Sequence, residues 1–216
     1  MRIFSVDGPI YRFINWLWAA IKINFMWMVF SLPIVTLGGA TIAAFDVFMR
    51  MCRGEEGYPV RDFIASFRKN FKTGIPYGLL LLFSAYAVWL DFSLFEQIES
   101  NPIILLIAGM VGAFLVILVF LFSFALQARY ENTFLRTLKN SVDISTRFFV
   151  RTLTLLVALA VEVFFFGWNL TTMLVGVLIG PACIMYTIAA YATIFFSQLE
   201  QEPGAVITPG EGEKSE

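Results

Sequence analysis

Apolar positions run along this chain in long unbroken stretches, not in the period-two alternation of half-buried strands. A helix that spans a bilayer needs about 20 mostly apolar residues. Four stretches meet that requirement: Pro76–Phe95, Ile103–Gln127, Phe148–Gly167 and Thr172–Phe196. Pro76 stands where a first-turn proline is tolerated, and Asn101-Pro102 reads as a cap followed by such a proline. The N-terminal fifth is less regular. Phe13–Leu32 is apolar enough to span but carries Asn15, Lys22 and Asn24. Ser31-Leu32-Pro33-Ile34-Val35-Thr36-Leu37-Gly38-Gly39 then breaks the helix, because proline and paired glycines punctuate it. The next segment, Gly39–Met51, reaches only about 20 Å, short of a hydrocarbon core of about 30 Å. These two segments form either a thin transmembrane hairpin or a re-entrant one. The pattern predicts an all-α, polytopic transmembrane helical bundle of six membrane segments over residues 1–196. The stretch 197–216 has five glutamates, two prolines and three glycines. It is expected to be a disordered acidic tail.

Charge sets the orientation. Arg50, Arg53, Arg61, Arg68, Lys69 and Lys72 fall between the second and third segments, and Arg129, Arg136, Lys139, Arg147 and Arg151 between the fourth and fifth. The loop Asp91–Pro102 and the turn at Trp168-Asn169 carry no basic residue. The positive-inside bias places the two basic loops, and with them both termini, in the cytoplasm of a plasma-membrane protein. The first residues show no cleavage site after a short apolar core, so the first segment is expected to insert uncleaved.

Composition agrees. Apolar residues make up 59% of the 216 and charged residues 14%, against about 25% charged in a soluble domain. The 15 basic and 16 acidic residues balance too closely for a nucleic-acid binder. Histidine is absent, which excludes catalytic triads and metal sites that need it. Cys52 and Cys183 are far apart and fit no disulfide or zinc pattern. Nucleotide-binding and hydrolase signatures are missing. No enzyme activity, cofactor or metal is expected.

Two patterns in the basic loops carry candidate function. Phe63, Ile64, Phe67 and Phe71 share one helical face, with Arg61, Arg68, Lys69 and Lys72 at the other positions. Phe134, Leu135, Leu138 and Val142 repeat the spacing around Arg136 and Lys139. Each reads as an amphipathic helix lying in the interface, held by anionic lipid. Such helices serve either as connectors or as a docking platform for a permease or sensor partner. Three ionisable residues fall within the spans: Lys22, Asp46 and Glu162. Lys22 and Glu162 have matched depths, which suggests an ion pair, with Asp46 a second partner for Lys22; the other reading is a polar substrate or proton site. Gly109-xxx-Ala113 and Gly176-xxx-Gly180 mark seams where helices approach closely, within the chain or between copies. The oligomeric state is not set by the sequence.

The run Ser31-Leu32-Pro33-Ile34-Val35-Thr36-Leu37-Gly38-Gly39-Ala40-Thr41 resembles the N-terminal hallmark of the YesL-like bacterial membrane proteins, roughly S-L-P-x-V-T-x-G-P-A-T. Arg53-Gly54-Glu55-Glu56-Gly57-Tyr58, Asp62-Phe63 and Phe67-Arg68-Lys69-Asn70-Phe71-Lys72 fit it also. The motifs cover about residues 15–75, and Gly39 departs from the proline usual there. The resemblance implies a largely uncharacterised family with no catalytic residues to carry over. It also implies an accessory role beside ABC-type carbohydrate uptake. The broken N-terminal hairpin with Lys22, Asp46 and Glu162 gives the alternative, a small transporter or channel.

Overall fold

A computed structural model describes residues 9–55, 57–97, 103–130 and 132–201. All regular elements among them are helical: α1 (Pro9–Ser31), a 3-10 turn (Ile34–Thr36), α2 (Leu37–Cys52), α3 (Pro59–Gln97), α4 (Ile103–Leu121), α5 (Ser123–Arg129), α6 (Phe134–Arg147), α7 (Phe149–Gly167) and α8 (Leu170–Gln201). Six segments are long and apolar enough to cross a membrane.

The short segment is the hub. Eleven of the sixteen residues of α2 are buried, and α1, α3, α5 and α8 all pack on it. Its small residues allow this. Gly38 and Gly39 cross α3 at Gly74 and Gly78 so closely that a Cβ on Gly38 would overlap the Gly74 carbonyl and lie 2.7 Å from the Gly78 nitrogen. Backbone rests on backbone there, as small-residue seams permit. Farther along, Phe45 stacks on Phe124 of α5 at 6.3 Å and Phe48 meets Tyr186 of α8 edge-on at 6.0 Å.

The hairpin of α1 and α2 meets its neighbours unequally. Along α8 it reaches far: the Asn24 amide donates to the carbonyls of Val177 (3.0 Å) and Leu178 (2.7 Å), within about 11 Å of the start of that helix by helical rise. Along α3 the glycine crossing lies at Gly74 and Gly78, with about 28 Å of that helix beyond it. There α3 packs on α4, and Phe83, Trp89, Ile104, Met110 and Phe114 are exposed. Val157, Val161, Phe164 and Phe165 of α7 are exposed likewise. Apolar side chains over such an area need a lipid solvent, not water.

Several predicted boundaries change. The amphipathic stretch 61–72 and the span 76–95 are one 39-residue helix, with Pro76 in its interior. Pro76 removes one N–H from the ladder, but its ring faces the exposed side, so the helix continues. The span 103–127 is broken at Phe122 into α4 and α5. The last helix runs on to Gln201, five residues into the stretch expected to be a tail: Leu199 is buried and Glu200 is ion-paired. Residues 202–216 and Asn101-Pro102 lie outside the described residues.

Candidate functional site

The three charges expected to converge within the spans do not meet. The Lys22 ammonium stands 5.1 Å from the centre of the Trp18 ring, one turn back on α1. Asp46 takes both Nε and Nη2 of Arg50, at 3.1 and 3.2 Å. Glu162 accepts the Thr187 hydroxyl through Oε1, while its Oε2 is enclosed without a partner. The ion pairs among the described residues join none of these three to another. The reason is topological: α8 packs between α1 and α7, so equal depth does not bring Lys22 and Glu162 together.

The basic half of α3 is two-faced. Phe63 and Phe67 lie edge-on to Phe30 of α1 at 5.6 and 4.7 Å, and Asn70 donates to the Ser66 carbonyl at 3.0 Å. Phe63 and Phe67 thus pack on protein, while Phe71 of the same apolar face stays exposed. Arg61, Arg68, Lys69 and Lys72 are exposed. Spacings of seven and four put Arg61, Arg68 and Lys72 in a stripe about 16 Å long. Arg61 stands 6.0 Å from the Tyr58 ring, and an open groove is lined by Tyr58, Val60, Arg61, Ile64, Ala65 and Arg68.

The second basic helix, α6, differs more from its sequence reading. Arg136 and Lys139 are exposed, but so is Leu135, at 75%. The buried face is Thr137, Asn140, Ser141, Ile144 and Ser145. It is mostly polar, and the apolar stripe of the sequence packs only in part: Phe134 meets Tyr77 edge-on at 4.7 Å and Leu138 lies against the core, while Leu135 does not.

A further cluster joins the ends of three elements. Arg129 Nη2 bonds Glu200 at 2.9 Å, the Tyr130 hydroxyl donates to the other Glu200 oxygen, and the guanidinium stacks over Tyr130 and Phe196. Burial and then the Glu200 bond push the Tyr130 phenol up from its ordinary range. Nearby, α2 ends on Gly54, whose φ of 71° reverses the chain and sets Glu55 against Arg53. The Arg53 bond holds the Glu55 carboxyl below its usual value. Glu200 was hidden from sequence reading by the acidic stretch that follows it.

The predicted packing seams are contacts within the chain. A Cβ at Gly109 would lie 3.4 Å from the Asp91 Cβ on α3, and one at Gly176 would lie 3.0 Å from Phe166 on α7, with Gly180 against the same ring. Ala113 is partly buried one turn beyond Gly109. Among the described residues no three His, Cys, Asp or Glu side chains group to hold a metal ion.

Six membrane-length apolar helical segments, the small-residue hub among them, make this a multi-pass helical membrane protein. Residues 13–92, which take in the hairpin and its seat on α3, match the family described as Protein of unknown function, DUF624. No curated protein and no solved structure matches the chain.

Proposed function

We propose that this chain is a YesL-like, non-enzymatic accessory or regulatory component of a plasma-membrane assembly, with both termini cytoplasmic. Its YesL-like resemblance points to carbohydrate uptake of the ABC type as the setting. The observation that carries this reading is the stripe Arg61–Arg68–Lys72, exposed on a helix whose opposite face is fixed on α1 and α2. A rigid row of cations of this kind suits an acidic surface on a permease or sensor partner. The separation of Lys22, Asp46 and Glu162 counts against a solute site, which needs convergent polar groups.

The test is purification of the full chain from its native membranes in mild detergent, beside a variant with Arg61, Arg68 and Lys72 all changed to Glu. A stoichiometric membrane partner, lost from a variant that stays monodisperse, is the expected result. Retention by the variant would remove the stripe from the interface, and a solitary wild-type protein would overturn the accessory role.

A small transporter is the second reading, favoured by the enclosed, unpartnered Glu162 Oε2. It requires proton or solute flux in liposomes that hold this protein alone, with flux lowered by Glu162→Gln.

A further inference from the structure

The break at Phe122 has a specific cause. In an unbroken helix the Phe122 N–H would donate to the Leu118 carbonyl. Here the Ser141 hydroxyl of α6 stands between them: Phe122 N–H donates to Ser141 Oγ at 3.2 Å, and that hydroxyl donates to the Leu118 carbonyl at 3.1 Å. A side chain inserted into the ladder is a known way to bend a helix. The bend has consequences downstream. It carries Phe124 onto Phe45 of α2 and Tyr77 of α3, and Gln127 into reach of the Tyr77 hydroxyl (2.7 Å) and of Thr137 (3.2 Å).

The element that supplies the wedge seats a mostly polar face, with Phe134 and Leu138 packed on the core beside it. Of its five buried residues, Ile144 alone is apolar. Hydroxyl and amide groups gain little by exchanging water for protein partners, and the Asn140 Nδ2 is enclosed with no partner at all. Non-helical backbone lies at both ends: Tyr130 (ψ 133°) and Thr133 (ψ 149°) before α6, and Phe148 (ψ 39°) after it.

We propose that α6 is a detachable wedge that sets the angle between α4 and α5. When it is seated, Ser141 keeps the chain bent at Phe122 and presses α5 on the α2 hub. When it leaves, the hydroxyl passes to water, the Phe122 N–H bonds the Leu118 carbonyl directly, and Ile103–Arg129 becomes one helix. Phe124 and Gln127 then withdraw from Phe45 and Tyr77, so the state of α6 is transmitted to α2.

Amide hydrogen exchange on the full chain in detergent tests this. Amides over 137–145 of the wild type should exchange at least about tenfold faster than those over 42–49 of α2. Ser141→Ala should speed exchange in α6 about tenfold, the worth of one or two hydrogen bonds, while slowing it at Phe122. Asn140→Leu, which replaces the unpartnered amide by an apolar group of similar size, should slow exchange in α6. Protection of α6 equal to that of α2 would overturn the proposal. So would faster exchange at Phe122 in Ser141→Ala. Should that variant not fold, Asn140→Leu decides: slower exchange supports the wedge, unchanged or faster exchange refutes it.

Discussion

Asn24 of α1 serves the carbonyl that Pro181 of α8 leaves without a donor. Proline at 181 has no N–H for the Val177 oxygen one turn back, and Asn24 Nδ2 sits 3.0 Å from that oxygen. Two irregularities, an amide in one apolar span and a proline in another, are therefore a single interhelical contact.

Asn24→Ala should destabilise the fold by about 2 kcal/mol, since it leaves the Val177 carbonyl without a donor in an apolar span. In a Pro181→Ala background the Val177 carbonyl regains its helical donor, and the same change should cost clearly less. Unfolding of the four proteins in detergent gives the coupling; an additive cycle would break the link between Asn24 and Pro181.

The hub crossing should tolerate no side chain. Gly38→Ala and Gly74→Ala would each drive a Cβ into opposing backbone, and neither protein is expected to give a monodisperse peak on size exclusion. Gly109→Ala, with ordinary contact at 3.4 Å, should fold and change stability by less than about 1 kcal/mol. Equal behaviour of the three would show that the crossing is looser than described.

Lys22 and Glu162 should act independently. With α8 between them, the losses from Lys22→Ala and Glu162→Ala should add to within about 0.5 kcal/mol. Strong coupling in that cycle would restore the direct ion pair. Thr187→Val should mimic part of the loss from Glu162→Ala, because it removes the hydroxyl that the carboxyl accepts.

The Glu55 carboxyl, held low by Arg53, makes a small acid-sensitive contribution. A depressed carboxylate stabilises the fold above its unfolded pKa of about 4.3, and the gain disappears as pH falls through the lower folded value. The pair is exposed, with Glu55 at 46%, so the effect should be about 0.5 kcal/mol or less. Melting curves of wild type and Glu55→Gln should differ at pH 7 and draw together as pH falls below the unfolded pKa; a gap that stays constant throughout the acid range would assign the difference to packing.

Much of the architecture was legible in the chain because a bilayer imposes length. Runs such as 103–127 and 148–167 have no other stable use, and Gly176-xxx-Gly180 could be read as a seam from spacing alone. What escaped was contact between distant segments. Gly74 and Gly78 carry no local signal of their role, and only the approach of Gly38 gives them a purpose. The apolar stripe of α6 gave only part of its packed surface, because the hydroxyl face beside it has partners in Gln127 and in the broken helix at Phe122. Pro76 read as a helix start, since nothing local reveals that the preceding turns are already helical. Lys22 and Glu162 share a depth, but depth along the membrane normal says nothing about the azimuth at which a helix stands.

The crossing of Gly38 on Gly74 also constrains the order of assembly. The ribosome completes α2 before the glycines that seat it exist, and the crossing itself has no rotatable side chains with which to improvise another fit. The newborn hairpin must therefore wait, shielded by lipid or an insertase, until residue 78 has emerged. A photocrosslinker at Ile42 in arrested chains should capture the insertion machinery in chains that have emerged only to about residue 70 and lose it in chains that expose all of α3. Capture that persists with α3 complete would show that α2 docks later, on α8.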